Sequence, residues 1–176
     1  MVVVAATSDA VAAHRSTRTL GGLVTTSYTD TFNALAVRHL GRRLGKRDSL
    51  SAASIEVAER RLGFRLPRAV RAYYLAAGAA RDLNDVHNHF FSVRELHRDD
   101  SYLVFMNENQ SVVSWGVRID DRHDDPIVWQ RNNTSPTAWY SERKRFTAFM
   151  RSMFNWYARA GIWAKKRRRP SGRRTG

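Results

Sequence analysis

The sequence predicts an α+β domain, with helices packed against a mostly antiparallel central sheet. Three observations predict it. Residues 51–78 carry two helical apolar faces with start and stop residues at the expected offsets. Residues 102–106 and 111–119 read as strands, the second with strict alternation. Residues 146–157 carry an apolar stripe at helical spacing. Helices, then a run of strands, then a helix is the order of an α+β domain rather than of alternating βα units.

Residues 1–28 are rich in Ala, Thr, Ser and Val, include Gly21 and Gly22, and are expected to form a disordered leader. The start has no basic stretch ahead of its short apolar run, so no secretory signal is expected. Asp30 is placed to cap a helix in which Phe32, Leu35, Ala36 and Leu40 share a face. Arg38, Arg42, Arg43, Lys46 and Arg47 make residues 29–48 a basic segment, with two roles open to it: an extra helix on the domain, or a linker.

The predicted domain spans residues 49–163. Ser51 is placed to cap a helix whose face is Ile55, Ala58 and Leu62. Gly63 supplies a left-handed stop, and Pro67 suits the first position of the next helix. Val70, Tyr74 and Ala77 form that helix's face, and Gly78 is expected to end it as Gly63 ended the first. A polar loop follows, with Asp82, Asn84, Asp85 and Asn88 as turn formers and Phe90, Phe91, Val93 and Leu96 as anchors.

The run 102–106 is too short for a helix and reads as a strand covered on both faces. A turn at 107–110 leads to residues 111–119, where Val113, Trp115, Val117 and Ile119 share one face. The two strands are expected to form an antiparallel hairpin. A polar loop at 120–125, closed by Pro126, precedes a third strand at 127–130. Ser141 is placed to cap a last helix, with Phe146, Phe149, Met150, Met153 and Tyr157 on one stripe and Gly161 at its end. Residues 164–176 hold no apolar payload and are expected to be a disordered basic tail.

Composition bounds the function. The chain has 176 residues, net charge +14 and no cysteine. Disulfides, thiolate zinc sites and a cysteine nucleophile are therefore excluded, and a reducing, cytoplasmic setting fits. No apolar run approaches the length of a membrane span, so no membrane partner is expected. Lys165, Lys166, Arg167, Arg168, Arg169, Arg173 and Arg174 alone supply +7, and residues 49–164 only +3. Most of the excess charge thus lies in the flanks. The tail could attract phosphate without reading sequence, which makes nucleic-acid association an alternative function.

Candidate chemistry is thin. His87-Asn88-His89 spells a nuclease name, but that chemistry needs ligands spread over a ββα unit. The acidic run Asp120, Asp121, His123, Asp124 and Asp125 lacks the spacing of a calcium loop. Glu56 and Glu59 sit among arginines, which favours a solvated or salt-bridged face over an acid–base pair. Five tryptophans fall mostly within apolar stripes and read as core. Trp163 is the exception, because it follows a helix-ending glycine and adjoins the tail. No catalytic triad, phosphate loop or dinucleotide fingerprint is present. A non-enzymatic role without cofactor or metal is expected.

The residues Ala58-Glu59, Leu62-Gly63, Leu66-Pro67, Arg71, Tyr74 and Gly78 resemble the entry of the SUKH superfamily. That group includes Smi/Knr-type fungal cell-wall regulators and many bacterial immunity proteins. Later landmarks are similar to the same pattern: residues 102–106, Asn109-Gln110, Trp115-Gly116, Asp125-Pro126 with Val128, Trp139, and residues 146–150. The resemblance covers about residues 51–157 and implies an α+β protein-binding module, in bacteria often one that neutralises a toxin by contact. Two features depart from the pattern. Ala77-Gly78-Ala79 stands where many members carry an Asn-Gly-Gly signal. The chain is also basic, where immunity proteins against nucleases tend to be acidic. Polar loops on a rigid scaffold are common binding sites. The expected partner-facing residues are therefore Asp82, Asn84, Asp85, His87, Asn109, Gln110, Asp120, Asp121, Asp124 and Asp125.

Overall fold

The computed structural model describes residues 27–163. Of the expected leader, residues 1–26 lie outside the described residues, whereas Ser27 and Tyr28 belong to the start of the first helix; the tail, with Lys165, Lys166, Arg167, Arg168, Arg169, Arg173 and Arg174, also lies outside.

The first helix, α1 (Tyr28–Leu40), is capped by Ser27 rather than by Asp30. The Ser27 hydroxyl oxygen accepts the Asp30 N–H at 3.1 Å and donates to the Asp30 carboxylate at 2.7 Å. The carboxylate thus sits inside the first turn, where the helix dipole favours negative charge. Phe32, Leu35 and Ala36 are buried, and the Phe32 ring meets Tyr73 at 4.9 Å and Phe146 at 6.2 Å. This basic segment is therefore a helix of the core. The stretch after it is pinned by Arg42, which grips Asp48 at 2.8 Å and Asp82 at 2.7 Å.

The helix pair forms as its punctuation dictates. In α2 (Ala52–Leu62), Ser51 accepts the Ser54 N–H at 3.2 Å, and Gly63 closes the helix at φ +82°. Pro67 opens α3 (Arg68–Ala77). Glu59 is buried rather than solvated: its Oε1 accepts the Leu66 N–H at 2.9 Å, with Arg71 Nε 3.6 Å away. The carboxylate satisfies a backbone donor that the corner would otherwise orphan. Gly78 does not adopt the left-handed stop; its φ is −60°. Glycine is required there for space instead, since a Cβ would meet the Tyr74 carbonyl at 2.6 Å and Leu50 Cδ1 at 2.8 Å.

A short helix, α4 (Arg81–Asn84), precedes six strands: β1 (His89–Phe90), β2 (His97–Asp99), β3 (Tyr102–Asn107), β4 (Val113–Arg118), β5 (Ile127–Asn132) and β6 (Trp139–Arg145). All pairings are antiparallel. The path runs β1-β3-β4-β5-β6, with β2 beside β1 along the same edge of β3. The last helix is α5 (Phe146–Arg159).

β1, β2 and β6 add to the three expected strands. The sequence of β6, WYSERKR, is polar after its second residue, which suits an edge strand that must discourage further pairing. Ser141 lies within this strand and does not cap α5.

The sheet has two different faces. One carries Leu103, Trp115, Val117 and Val128 and packs on the helices, where Phe105 meets Phe146 at 5.2 Å and Trp115 meets Phe149 at 6.0 Å. The other carries Tyr102, Trp129, Arg131 and Trp139. Trp139 reaches across β4, over Gly116, to stack on Tyr102 at 4.1 Å.

Candidate partner-binding groove

The polar loops expected to face a partner divide between fold maintenance and exposure. Asn84 is buried: its Oδ1 accepts the Tyr73 hydroxyl at 2.8 Å, and its Nδ2 donates to the Ala77 carbonyl at 2.9 Å. Asp125 caps α5 from outside the helix, accepting the Thr147 N–H at 3.0 Å and the Thr147 hydroxyl at 2.5 Å. Asp121 accepts the N–H groups of His123 and Ile127 and so shapes its own loop. These three residues serve the fold, because buried or turn-bound acceptors are already spent on backbone and core donors. Asp120 is held by Arg118, Asp124 by Arg68 at 2.8 Å, and Asp82 by Arg42. Asn109 and Gln110 form an exposed turn in which the Gln110 N–H donates to Glu108 at 2.8 Å.

The loops do not merge into one patch. Asp124 and Asp125 sit at the starts of α3 and α5. Asn84 and His87 sit at the far ends of those helices, against Ala77 and Trp156. A ten-residue helix such as α3 separates its ends by about 15 Å.

Replacing Asp125 with Ala is expected to destabilise the domain by about 1–2 kcal/mol, the usual loss for a removed helix cap. Asp125→Asn retains an acceptor for the Thr147 N–H and should lose less. Urea midpoints of the three proteins measure both.

What the fold does bring together is a groove of about 500 Å³ where the far end of α5 meets the sheet and the loop before β1. Trp115, Phe149 and Met153 supply apolar surface to it, Trp156 and His87 meet at 5.3 Å, and Glu108, Glu142 and Lys144 add charge. The placement follows from local rules. Trp115 and Phe149 reach the groove from the two stripes that form the core, and both are largely buried. Trp156 falls at the border of the α5 stripe and is 45% exposed.

Polar contacts fix the groove's geometry. Trp115 Nε1–H donates to Glu142 Oε1 at 2.9 Å, holding the carboxylate across from β4. Asn88 lines the groove, is almost fully buried, and donates weakly to Met153 Sδ at 3.5 Å. Its Oδ1 has no hydrogen-bond partner among the described residues. The Tyr157 phenol behind it is pushed well above its ordinary pKa by burial.

Of the expected residues, the structure places His87 in this groove, with the Asn109-Gln110 turn following directly on its Glu108. Trp115, Glu142, Phe149, Met153 and Trp156 were not among the expected site residues. For Trp156 a sequence signal exists: ten residues past Phe146, it sits at the edge of the helical stripe rather than inside it.

Beside the groove, His89 lies between Asp85 at 3.3 Å and Glu95 at 3.0 Å. Burial pushes its pKa down, but the hydrogen bonds and charges of Glu95 and Asp85 outweigh this and raise it above the usual histidine value. A raised folded-state pKa contributes stability that is fully present below the unfolded value of about 6.5 and lost as pH rises through the folded value. The urea-midpoint difference between the wild type and His89→Ala should therefore be largest below the unfolded value of about 6.5 and shrink as pH rises through the raised folded-state value.

His39 behaves in the opposite sense. Burial and then Arg38 lower its pKa, and its ring stacks on Trp163 at 5.0 Å. Trp163 is thus not an exposed platform: it is buried, and its indole N–H donates to the Asp82 carbonyl at 3.0 Å.

Among the described residues no helix is long and apolar enough to cross a membrane, and no three acidic or histidine side chains gather as a metal site. No protein-family model, curated protein or solved structure matches this chain.

Proposed function

We propose that this chain is a non-enzymatic, SUKH-like protein-binding module of the cytoplasm that neutralises a toxin effector by direct contact, and that the groove around Trp156 seats the partner. The observation that carries the reading is this groove itself. It presents a half-exposed tryptophan and a largely apolar wall of Trp115, Phe149 and Met153 beside two carboxylates. Binding energy at protein interfaces concentrates on such aromatic anchors in pockets with a polar rim. The mechanism is occlusion: the rigid layer of helices on sheet covers the toxin's working surface, and complementary charge sets specificity and association rate. Sequence support comes from the SUKH landmarks along residues 51–157.

The nucleic-acid alternative rests on the tail charge. The outer sheet face offers it little help, although Trp129 and Trp139 lie there. Arg131 is held by Asp99 and Arg118 by Asp120, so both guanidiniums are already neutralised. A phosphate would have to displace a carboxylate from either one.

Co-expression with the products of the genes flanking its own, scored by relief of growth arrest, tests the reading. Trp156→Ala is expected to weaken the toxin complex by about 30-fold or more while leaving the urea midpoint nearly unchanged, as an exposed hot-spot residue should. Failure of every flanking product to be neutralised would reject the immunity function.

A further inference from the structure

Two of the groove's lining residues stand on a loop that one histidine closes. Asp85, just past the end of α4, and His89, the first residue of β1, bracket Val86, His87 and Asn88. His87 meets Trp156 at 5.3 Å, and Asn88 donates to Met153 Sδ at 3.5 Å, so this loop supplies part of the groove wall. The His89 ring holds the loop at both sides. Its Nδ1 lies 3.3 Å from Asp85 Oδ1, and its Nε2 lies 3.0 Å from Glu95 Oε1, in the turn before β2. The backbone of His89 pairs with Asn107 of β3, next to Glu108 of the groove.

Making both contacts at once needs a charged ring. A carboxylate only accepts, so each ring nitrogen must carry a hydrogen, and only the imidazolium form has both. The charged groups that face the ring are Asp85 after α4, Glu95 before β2, and Arg81 of α4, which lines the same hollow. β3 offers the uncharged Asn107, and the Phe91 ring packs at 5.4 Å. Two carboxylates against one guanidinium favour the charged ring, in keeping with its raised pKa. When the proton leaves, the neutral ring keeps one N–H. The shorter contact retains it, on Glu95, and a lone pair on Nδ1 then faces the Asp85 carboxylate. The contact that closes the loop becomes repulsive.

We propose that protonated His89 is a latch on the groove: by joining Asp85 to Glu95 it keeps His87 and Asn88 in the groove wall, and it releases that wall, and with it the partner, as pH rises and the ring loses its proton. The inference concerns regulation of the proposed partner site and rests on that reading. Asn88 is where the wall responds. It is buried, its Nδ2 meets only sulfur at 3.5 Å, and its Oδ1 has no hydrogen-bond partner among the described residues. Such a side chain is a weak anchor by itself, so closure of the loop carries more of its placement. The latch opens on the alkaline side of the ordinary histidine value of about 6.5, because the two acids hold the proton. Toxin affinity is expected to fall at least about fivefold from about pH 6 to about pH 9, on the scale of one lost charge-assisted hydrogen bond.

A nuclear magnetic resonance titration of the full chain tests the latch without any partner. The His89 ring signals give its own midpoint, while the Asn88 amide and the Met153 methyl report the groove wall. His87→Gln serves as the background, so that no second imidazole titrates beside the reporters. Both reporters are expected to move with the His89 midpoint. Asp85→Asn keeps a hydrogen-bonding side chain at the loop's end but removes the repelling charge, so His89 should still titrate while both reporters stay flat. His89→Gln should leave them flat as well, and Asp85→Asn decides alone if that variant folds poorly. Reporters that stay flat through the His89 titration in the background protein would overturn the inference. So would reporters that titrate undiminished in Asp85→Asn, since another group would then move the wall. The two readings fail separately. Reporters that follow His89, with toxin binding unchanged by Trp156→Ala, reject only the partner site. Binding lost by Trp156→Ala, with flat reporters, rejects only the latch.

Discussion

Phe146→Ala is expected to destabilise the domain by about 3–5 kcal/mol, the range for truncating a fully buried phenylalanine. Phe146 has no exposed surface, and its ring meets Phe32, Tyr73, Phe90 and Phe105 at 5.2–6.4 Å. Those four rings belong to α1, α3, β1 and β3, so one side chain joins the helical layer to the sheet. Its backbone N–H also donates to the Pro126 carbonyl at 2.9 Å, which anchors the start of α5 to the loop before β5. Truncation removes ring contacts on four elements at once, and these elements are too cross-braced to collapse into the space. Against a total stability of about 5–15 kcal/mol, such a loss leaves the fold marginal. A urea titration measures it: the midpoint should drop while the slope stays constant. A loss under about 1 kcal/mol would mean that the layers join elsewhere.

Gly116→Val is expected to lose about 1–3 kcal/mol through overpacking, on the side of the sheet away from the helices. A Cβ at Gly116 would stand 2.9 Å from the Leu103 carbonyl and 3.0 Å from Trp139 Cη2. The carbonyl belongs to the neighbouring strand and cannot give way, so the indole must. Trp139 would then leave Tyr102, on which it now stacks at 4.1 Å and 14° between planes. The cation–π contact between Arg131 and Trp139, at 5.6 Å, would go with it. Loss of near-ultraviolet dichroism together with a lowered urea midpoint is the expected result. Unchanged dichroism would mean that Trp139 does not depend on the space left by glycine. The groove lies on the other face, so its geometry should survive this substitution.

The helix corner at 51–78 was legible because its signals are local. Ser51, Gly63 and Pro67 act on their own backbone, through a hydroxyl, a tolerated positive φ and a fixed φ. The stripe of α5 and the alternation of β4 were legible because burial of one face imposes a period on the sequence, and β3 because burial on both faces leaves an unbroken apolar run. β6 was not legible. Its residues carry no apolar alternation, and pairing with β5 is what makes it a strand. The caps of α1 and α5 were misplaced for two different reasons. Ser27 and Asp30 share the work of one cap, and the cap of α5 comes from Asp125, remote in sequence.

The candidate site was less legible than the fold. An exposed-looking Asn or Asp has the same letter whether it meets solvent or a buried donor. Asn84 and Asp125 turned inward because Tyr73 and Thr147 needed acceptors. The groove combines Trp115, Glu142 and Trp156 from β4, β6 and α5, and no short window of sequence holds all three.

By itself the sequence determined the α+β class, the helix pair with its corner, the central hairpin and the amphipathic last helix. It also determined a charge excess concentrated in the flanks. These follow from backbone preferences and from the periodicity that one-sided burial demands, both of which act within a few residues. Only the tertiary structure decided that α1 belongs to the core, that Glu59 and Asn84 are buried, and that Trp156 borders an acidic groove. Each of these depends on which distant groups satisfy a polar atom or cover a ring, and that is set when the layers close on one another.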